Sequence, residues 1–147
     1  MLMISIDIGN TNVVIGIYKN NKLIAHWRLS SKAARTSDEY WILLRSLMNI
    51  NKIEAENFSG AIISSVVPDL TMDFVQIVEK YFKIDPVVVD SKLELDLKLV
   101  VDNPESVGAD RICNVVAGFK KYEDFLALGY TVPVNELYEA AGVKFDF

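Results

Sequence analysis

The chain opens with three short apolar runs, rich in β-branched residues and separated by polar turns. Residues 3–8 (MISIDI) end at Gly9-Asn10. Residues 13–18 (VVIGIY) end at Lys19-Asn20-Asn21-Lys22, and residues 23–29 form the third run. Gly and Asn both accept the positive φ angles that tight turns need. The three runs therefore predict an antiparallel three-stranded meander.

The period then changes. From Ser37, apolar groups fall at Trp41, Leu44, Leu47 and Met48, which is helical spacing. Ser37 is the expected N-cap, and Asp38 and Glu39 suit the positive end of the helix dipole. Residues 60–67 (GAIISSVV) read as a buried strand stopped by Pro68. Residues 69–82 return to helical spacing through Leu70, Phe74, Ile77, Val78 and Tyr81, and residues 86–89 (PVVV) read as a further short strand. Three strands, helix, strand, helix, strand is the order of an α/β layer with a mixed sheet. Residues 91–103 alternate and are charged, as an edge strand or an extended connector would be. A helix is expected after Gly108, with Ile112, Val115, Val116 and Phe119 on one face.

Composition narrows the classes. The 147 residues are 51% hydrophobic and 24% charged, which argues for a packed core rather than disorder. A net charge of −5 gives no electrostatic basis for holding nucleic acid. A single cysteine, Cys113, excludes an internal disulfide framework and a thiolate zinc cluster, and a single histidine, His26, excludes a two-histidine zinc peptidase site. No run approaches the roughly 18 apolar residues of a membrane span, and the N-terminal run lacks the basic flank of a secretory signal. A cytoplasmic protein with no membrane partner is expected. Alternation sets His26 opposite Trp27 on an exposed strand face. Cys113 reads as a packed thiol, and Trp27 and Trp41 read as core anchors.

Two blocks carry candidate chemistry. Asp7-Ile8-Gly9-Asn10-Thr11 places an acid at the end of an apolar strand before a glycine turn. Such an acid can hold hydrated Mg²⁺ beside a phosphate chain. Gly9 would let backbone approach the anion, while Asn10 and Thr11 offer donors. The same residues also suit a plain hairpin turn with an Asx cap. Gly108-Ala109-Asp110-Arg111 opens a helix. Asp110 could take a proton from a substrate hydroxyl and Arg111 could clamp a carboxylate, although Asp110 would also serve as an ordinary N-cap.

Taken in order, Asp7–Thr11, Arg35-Thr36 with Asp38-Glu39, Ser64-Ser65-Val66-Val67-Pro68, and Asn103-Pro104 through Gly108–Ile112 with Asn114 resemble the type III pantothenate kinases. The resemblance covers residues 1–121. It implies a ribonuclease-H-like, actin-like ATPase fold of two domains with ATP in the cleft, residues 1–121 being the first. It implies phosphorylation of pantothenate by ATP at the start of coenzyme A synthesis, with Mg²⁺, a monovalent cation (K⁺ or NH₄⁺) and a homodimer. Asp7, Ile8, Gly9, Asn10, Thr11, Asn12, Val13 and Val14 would form the ATP-phosphate loop, with Asp7 holding Mg²⁺ through water. Gly108, Ala109, Asp110 and Arg111 would bind pantothenate, with Asp110 as proton acceptor.

The sequence departs from the family at Val101, where several relatives carry an aromatic residue. It departs more at its end. No Asp-Phe-Gly-Thr-type second phosphate motif follows Phe119, so the acid of the cation site is lacking. Residues 122–147 read instead as an atypical helical tail, loosely like the C-terminus of oligoendopeptidases, without the His-Glu-x-x-His motif of that activity. Half of a cleft predicts little turnover by this chain alone. The alternative is a catalytically dead nucleotide-binding or interaction fragment. A ribonuclease-H-type nuclease would share the acid of the first strand, but it needs several converging carboxylates, and residues 60–67 bring none.

Overall fold

Strand β1 (Leu2–Ile8) is the centre of a five-stranded sheet of order β3-β2-β1-β4-β5. Its side chains alternate, so Ile4, Ile6 and Ile8 are buried on one face, while Met3, Ser5 and Asp7 occupy the other. Strand β2 (Asn12–Lys19) pairs antiparallel and sets Ile17, Ile15 and Val13 beside those three isoleucines. Strand β3 (Lys22–Ser30) closes the expected meander. Its link to β2 is the pair Asn20-Asn21, with φ of 50° and 62°. Two successive left-handed residues suit the twist of a tight hairpin.

On the other side of β1, strand β4 (Phe58–Ser65) runs parallel, with Ile63 beside Ile6 and Ser64 beside Asp7. Strand β5 (Val87–Val88) adds a two-residue parallel edge. Helices α1 (Ser37–Ile50) and α2 (Pro68–Ile77) supply Tyr40, Trp41, Leu44, Met48, Phe74 and Ile77 to the core formed with the sheet isoleucines. The α/β order expected from periodicity therefore holds.

Three local readings are corrected. Thr36, not Ser37, caps α1: its hydroxyl accepts from the Glu39 N–H at 3.3 Å, and the Glu39 carboxylate accepts from the Thr36 N–H at 2.7 Å. This reciprocal pair satisfies two of the helix's spare donors. Second, the helix expected over residues 69–82 leaves α geometry at Ile77 and continues as a π-helical turn, Val78–Phe82, ended by Lys83 at φ 60°. The wider turn rotates the inward face. Phe82 is buried there, edge-on to Trp41 and Phe58, whereas Tyr81 lies half-exposed and stacked on Trp41 at 4.2 Å. Third, β4 stops at Ser65. Val66 still donates to the Ile8 carbonyl at 3.0 Å, but Val67 has become the N-cap position of α2.

The structure, a computed structural model, describes residues 1–93, 107–114 and 116–117. The chain forms two compact units, Met1–Val88 and Val89–Phe147. In the second, Asp90 closes a turn by accepting from the Lys92 N–H at 2.9 Å. Residues 109–114 are helical, with Ala109 and Ile112 buried. The expected strand or connector beyond residue 93, the helix positions Val115 and Phe119, and the tail 122–147 lie outside the described residues.

Candidate functional site

The register brings one set of strand ends together. Ile8 ends β1 beside Val13 and Ser65, and Asn12 opens β2 beside Ser30, the end of β3. Both helices begin at this end. Tyr40 and Arg35 tie the start of α1 down by donating to the Ser30 carbonyl at 3.0 and 3.3 Å. No side chain caps α2, whose first position is Pro68. Unpaired N–H groups at a helix start carry partial positive charge. The turn between β1 and β2 thus sits at the end of the sheet best suited to an anion.

Within that turn the Gly9 N–H donates to the Asn12 carbonyl at 2.9 Å, and the Thr11 carbonyl accepts from the Ser31 N–H at 3.1 Å. The expectation of positive φ at Gly9-Asn10 is not met. Left-handed backbone lies at Asn20-Asn21 instead, and neither residue 9 nor residue 10 adopts it. A Cβ at position 9 would touch only the Asn12 carbonyl, at an ordinary 3.4 Å, among the described residues. Neither φ nor packing against the described residues therefore requires glycine at position 9. Glycine at this position also leaves room for close approach of a bound group.

Asp7 is exposed on the sheet face away from α1 and α2. One carboxylate oxygen accepts from the Ser64 hydroxyl at 3.1 Å, and Asp7 has no other hydrogen-bond partner among the described residues. One oriented oxygen with its neighbour left available fits a water-mediated hold on Mg²⁺. Asn10 and Thr11 are exposed, and Gly9, Asn12 and Val14 are half-buried. Ile8 and Val13 are fully buried, so their side chains belong to the core and only backbone could face a nucleotide.

The second block lies in the second unit. Gly108 accepts from the N–H groups of Arg111 and Ile112 at 3.0 and 3.2 Å, which makes it the residue before the helix. Asp110 is therefore one position inside the first turn and is not the cap. The side chains of Asp110 and Arg111 are exposed and bond to no described residue, while Ala109 is buried. Both charged side chains stay available for a ligand, and Ala109 can contribute only backbone.

Two features escaped the sequence reading. The Asp7–Ser64 pair depends on a strand register that no local pattern reveals. The capping box was legible as Thr36-x-x-Glu39. Beyond it, Asp38 accepts from Tyr81 at 2.6 Å and from Lys80 at 2.9 Å, fastening α1 to the π-helical turn. The Tyr81 hydroxyl first, and then Lys80, hold the Asp38 carboxyl below its ordinary value. The Thr36 backbone N–H and then its hydroxyl do the same for Glu39. His26 is exposed as expected, Trp41 is buried and Trp27 is half-buried. A cavity of about 290 Å³, lined by Trp41, Arg45, Glu54, Tyr81 and Lys83 among others, opens near the start of β4, at the far end from the 9–12 turn. It contains none of the expected site residues.

A family model described as type III pantothenate kinase matches residues 3–128. A type III pantothenate kinase of an Exiguobacterium species is 42% identical over 122 residues, which are 83% of this chain and 48% of that protein. Its counterpart in Roseiflexus castenholzii is 42% identical over 121 residues, 82% of this chain and again 48% of the relative. The chain thus spans about half the length of the curated relatives it matches. Among solved structures, a Bacteroides thetaiotaomicron protein with an actin-like ATPase fold aligns over 59% of this chain and 32% of its own, at 7% identity and a TM-score of 0.44. A ROK hexokinase from Thermus thermophilus aligns over 62% and 35%, at 11% identity and 0.42. At these scores neither structure decides anything about this chain.

Proposed function

The chain belongs to the type III pantothenate kinase family, and from that premise we propose that it carries the ATP-phosphate turn and the pantothenate block of such a kinase. The observation that supports this reading most is Gly9, which neither φ nor packing against the described residues demands. In this reading Asp7, Ile8, Gly9, Asn10, Thr11, Asn12, Val13 and Val14 receive the phosphates, with Ile8 and Val13 acting through backbone. Mg²⁺, held by Asp7 through water, supplies charge neutralisation of the phosphate chain. Gly108, Ala109, Asp110 and Arg111 take pantothenate. K⁺ or NH₄⁺ dependence, a homodimer, a cytoplasmic location and a place in coenzyme A synthesis belong to the same proposal.

The transfer needs a nucleophile from a primary alcohol, a weak one at neutral pH. The pantothenate hydroxyl oxygen forms the new bond to the γ-phosphorus as the bond to the ADP oxygen breaks. The hydroxyl proton passes to the Asp110 carboxylate. Arg111, with its planar donor fork, fits the carboxylate of pantothenate. Most of the acceleration in such a reaction comes from positioning and from charge neutralisation around the phosphoryl group.

Because the chain spans about half of its relatives, a second reading stands beside the first: a nucleotide-binding fragment without turnover. A ribonuclease-H-type nuclease fits worse, since β4 sets Ser64, not a carboxylate, beside Asp7. Calorimetric titration of the purified chain is expected to show saturable Mg·ATP binding, and no binding at millimolar nucleotide would sink both kinase-derived readings. Pantothenate-dependent ADP formation by the chain alone would remove the fragment reading.

A further inference from the structure

We propose that Ser64 is a positioning residue that sets the orientation of the Asp7 carboxylate for metal-bound nucleotide. The inference rests on the reading of the 9–12 turn given above and adds a residue to it. Ser64 stands at the register position of Asp7, one pairing from the end of the parallel pair, and it is the buried polar side chain among the described residues, at 7% exposure. The three β4 residues before it, Ala61, Ile62 and Ile63, are apolar, and Ser65 after it ends the strand with its hydroxyl turned to the Val67 backbone. A β-branched apolar side chain would suit a strand better than serine does, so local preference does not explain the choice. The hydroxyl does. Its one proton goes to one Asp7 oxygen at 3.1 Å.

Two consequences follow for Asp7. Its side chain is exposed and otherwise without a described partner. Free, it would sample several rotamers. The Ser64 bond selects one and directs the second oxygen away from the strand pair. At 3.1 Å the bond is long for O–H···O, whose usual separation is about 2.7–2.8 Å. Its contribution is therefore orientation more than binding strength. A carboxylate already oriented pays less ordering cost when a hydrated cation arrives.

The test compares Ser64→Ala, Ser64→Thr, Asp7→Asn and the double variant Asp7→Asn/Ser64→Ala in the whole chain. Dissociation constants are measured for Mg·ATP and for ATP in excess EDTA, with melting temperatures as the fold control. Ser64→Ala is expected to weaken Mg·ATP about five- to tenfold, as loss of an oriented hydrogen bond to a charged group does. It should leave metal-free ATP and the melting temperature nearly unchanged. Ser64→Thr, which keeps the hydroxyl, should restore binding to within about twofold. In the Asp7→Asn background Ser64→Ala should add nothing, because residues that act as a unit are not additive. Equal loss for both forms of ATP, additive effects or unchanged binding would overturn the proposal. Should the alanine variant not fold, Ser64→Cys, with its weak donor, carries the same comparison. If the parent chain does not bind Mg·ATP, or Asp7→Asn leaves binding unchanged, the reading of the 9–12 turn fails first and this inference falls with it.

Discussion

Replacing Gly9 by alanine separates a glycine kept for folding from one kept for a ligand. A turn glycine at positive φ is kept for the backbone, and a side chain there strains the fold whatever the site does. Position 9 is not such a glycine. Its φ is outside the left-handed region, and among the described residues an added Cβ meets only the Asn12 carbonyl, at 3.4 Å. Where native φ and ψ are compatible, Gly→Ala stabilises by about 0.4–1 kcal/mol, by restricting the unfolded chain. A domain of this size converts about 1 kcal/mol into a few degrees of melting temperature. The variant is therefore expected to melt within about 4 °C of the parent, at or above it. A methyl group between the turn and a phosphate oxygen removes the close approach that the hydrogen bonds require. Mg·ATP binding should fall by at least tenfold, about 1.4 kcal/mol. Differential scanning calorimetry and nucleotide titration on one preparation read both quantities. A melting temperature lower by ten degrees would show that position 9 has no room for a side chain. Intact folding with unchanged binding would show that no ligand approaches the turn, and the reason offered for Gly9 would be wrong.

Two other outcomes follow from the structure. Phe74 is fully buried, with its ring centroid 5.1 Å from that of Tyr40. Phe74→Ala should cost about 3–5 kcal/mol, seen as a large drop in denaturant midpoint at unchanged slope; a loss below about 1 kcal/mol would refute the packing described. The second concerns acid. Asp38 and Glu39 are both held below their ordinary values of 3.8 and 4.5, by Tyr81 with Lys80 and by Thr36 respectively. Their support for α1 is complete above those values and fades as pH falls through the lower folded ones. Melting temperature should thus decline as pH drops below about 4.5, and Thr36→Ala, which removes the hydroxyl bond to Glu39, should flatten that decline. A decline of the same steepness in the variant would refute the Glu39 part.

The order of elements was readable because period 2 and helical spacing are written locally, as in the alternation of Ile4, Ile6 and Ile8 or the Trp41, Leu44, Met48 face. What was missed depends on geometry between segments. Tyr40 is not among the apolar positions that the spacing marks on the first helix, yet it is fully buried, with its ring against Phe74 and its hydroxyl donating to the Ser30 carbonyl at 3.0 Å. The π-helical turn follows no period that apolar spacing could report, so Tyr81 took the inward place that Phe82 holds. For the site, residue types pointed to the turn and to the Gly108–Arg111 block. They could not show that Ile8 and Val13 turn inward, that Gly108 takes the cap position, or that Ser64 stands beside Asp7.

The double pairing of β1 has a consequence for how this protein would wear out. Every residue from Leu2 to Ile8 has a partner on β2 and another on β4. Amides in such a strand exchange with solvent only when the whole cooperative unit opens. Asp7 thus belongs to a strand held on both sides, although its side chain meets water. Heat, ageing or a distant destabilising substitution would leave each surviving molecule with its strand end intact. Damage to such a population would show as a loss of whole molecules, not as a gradual loosening of the strand end in each.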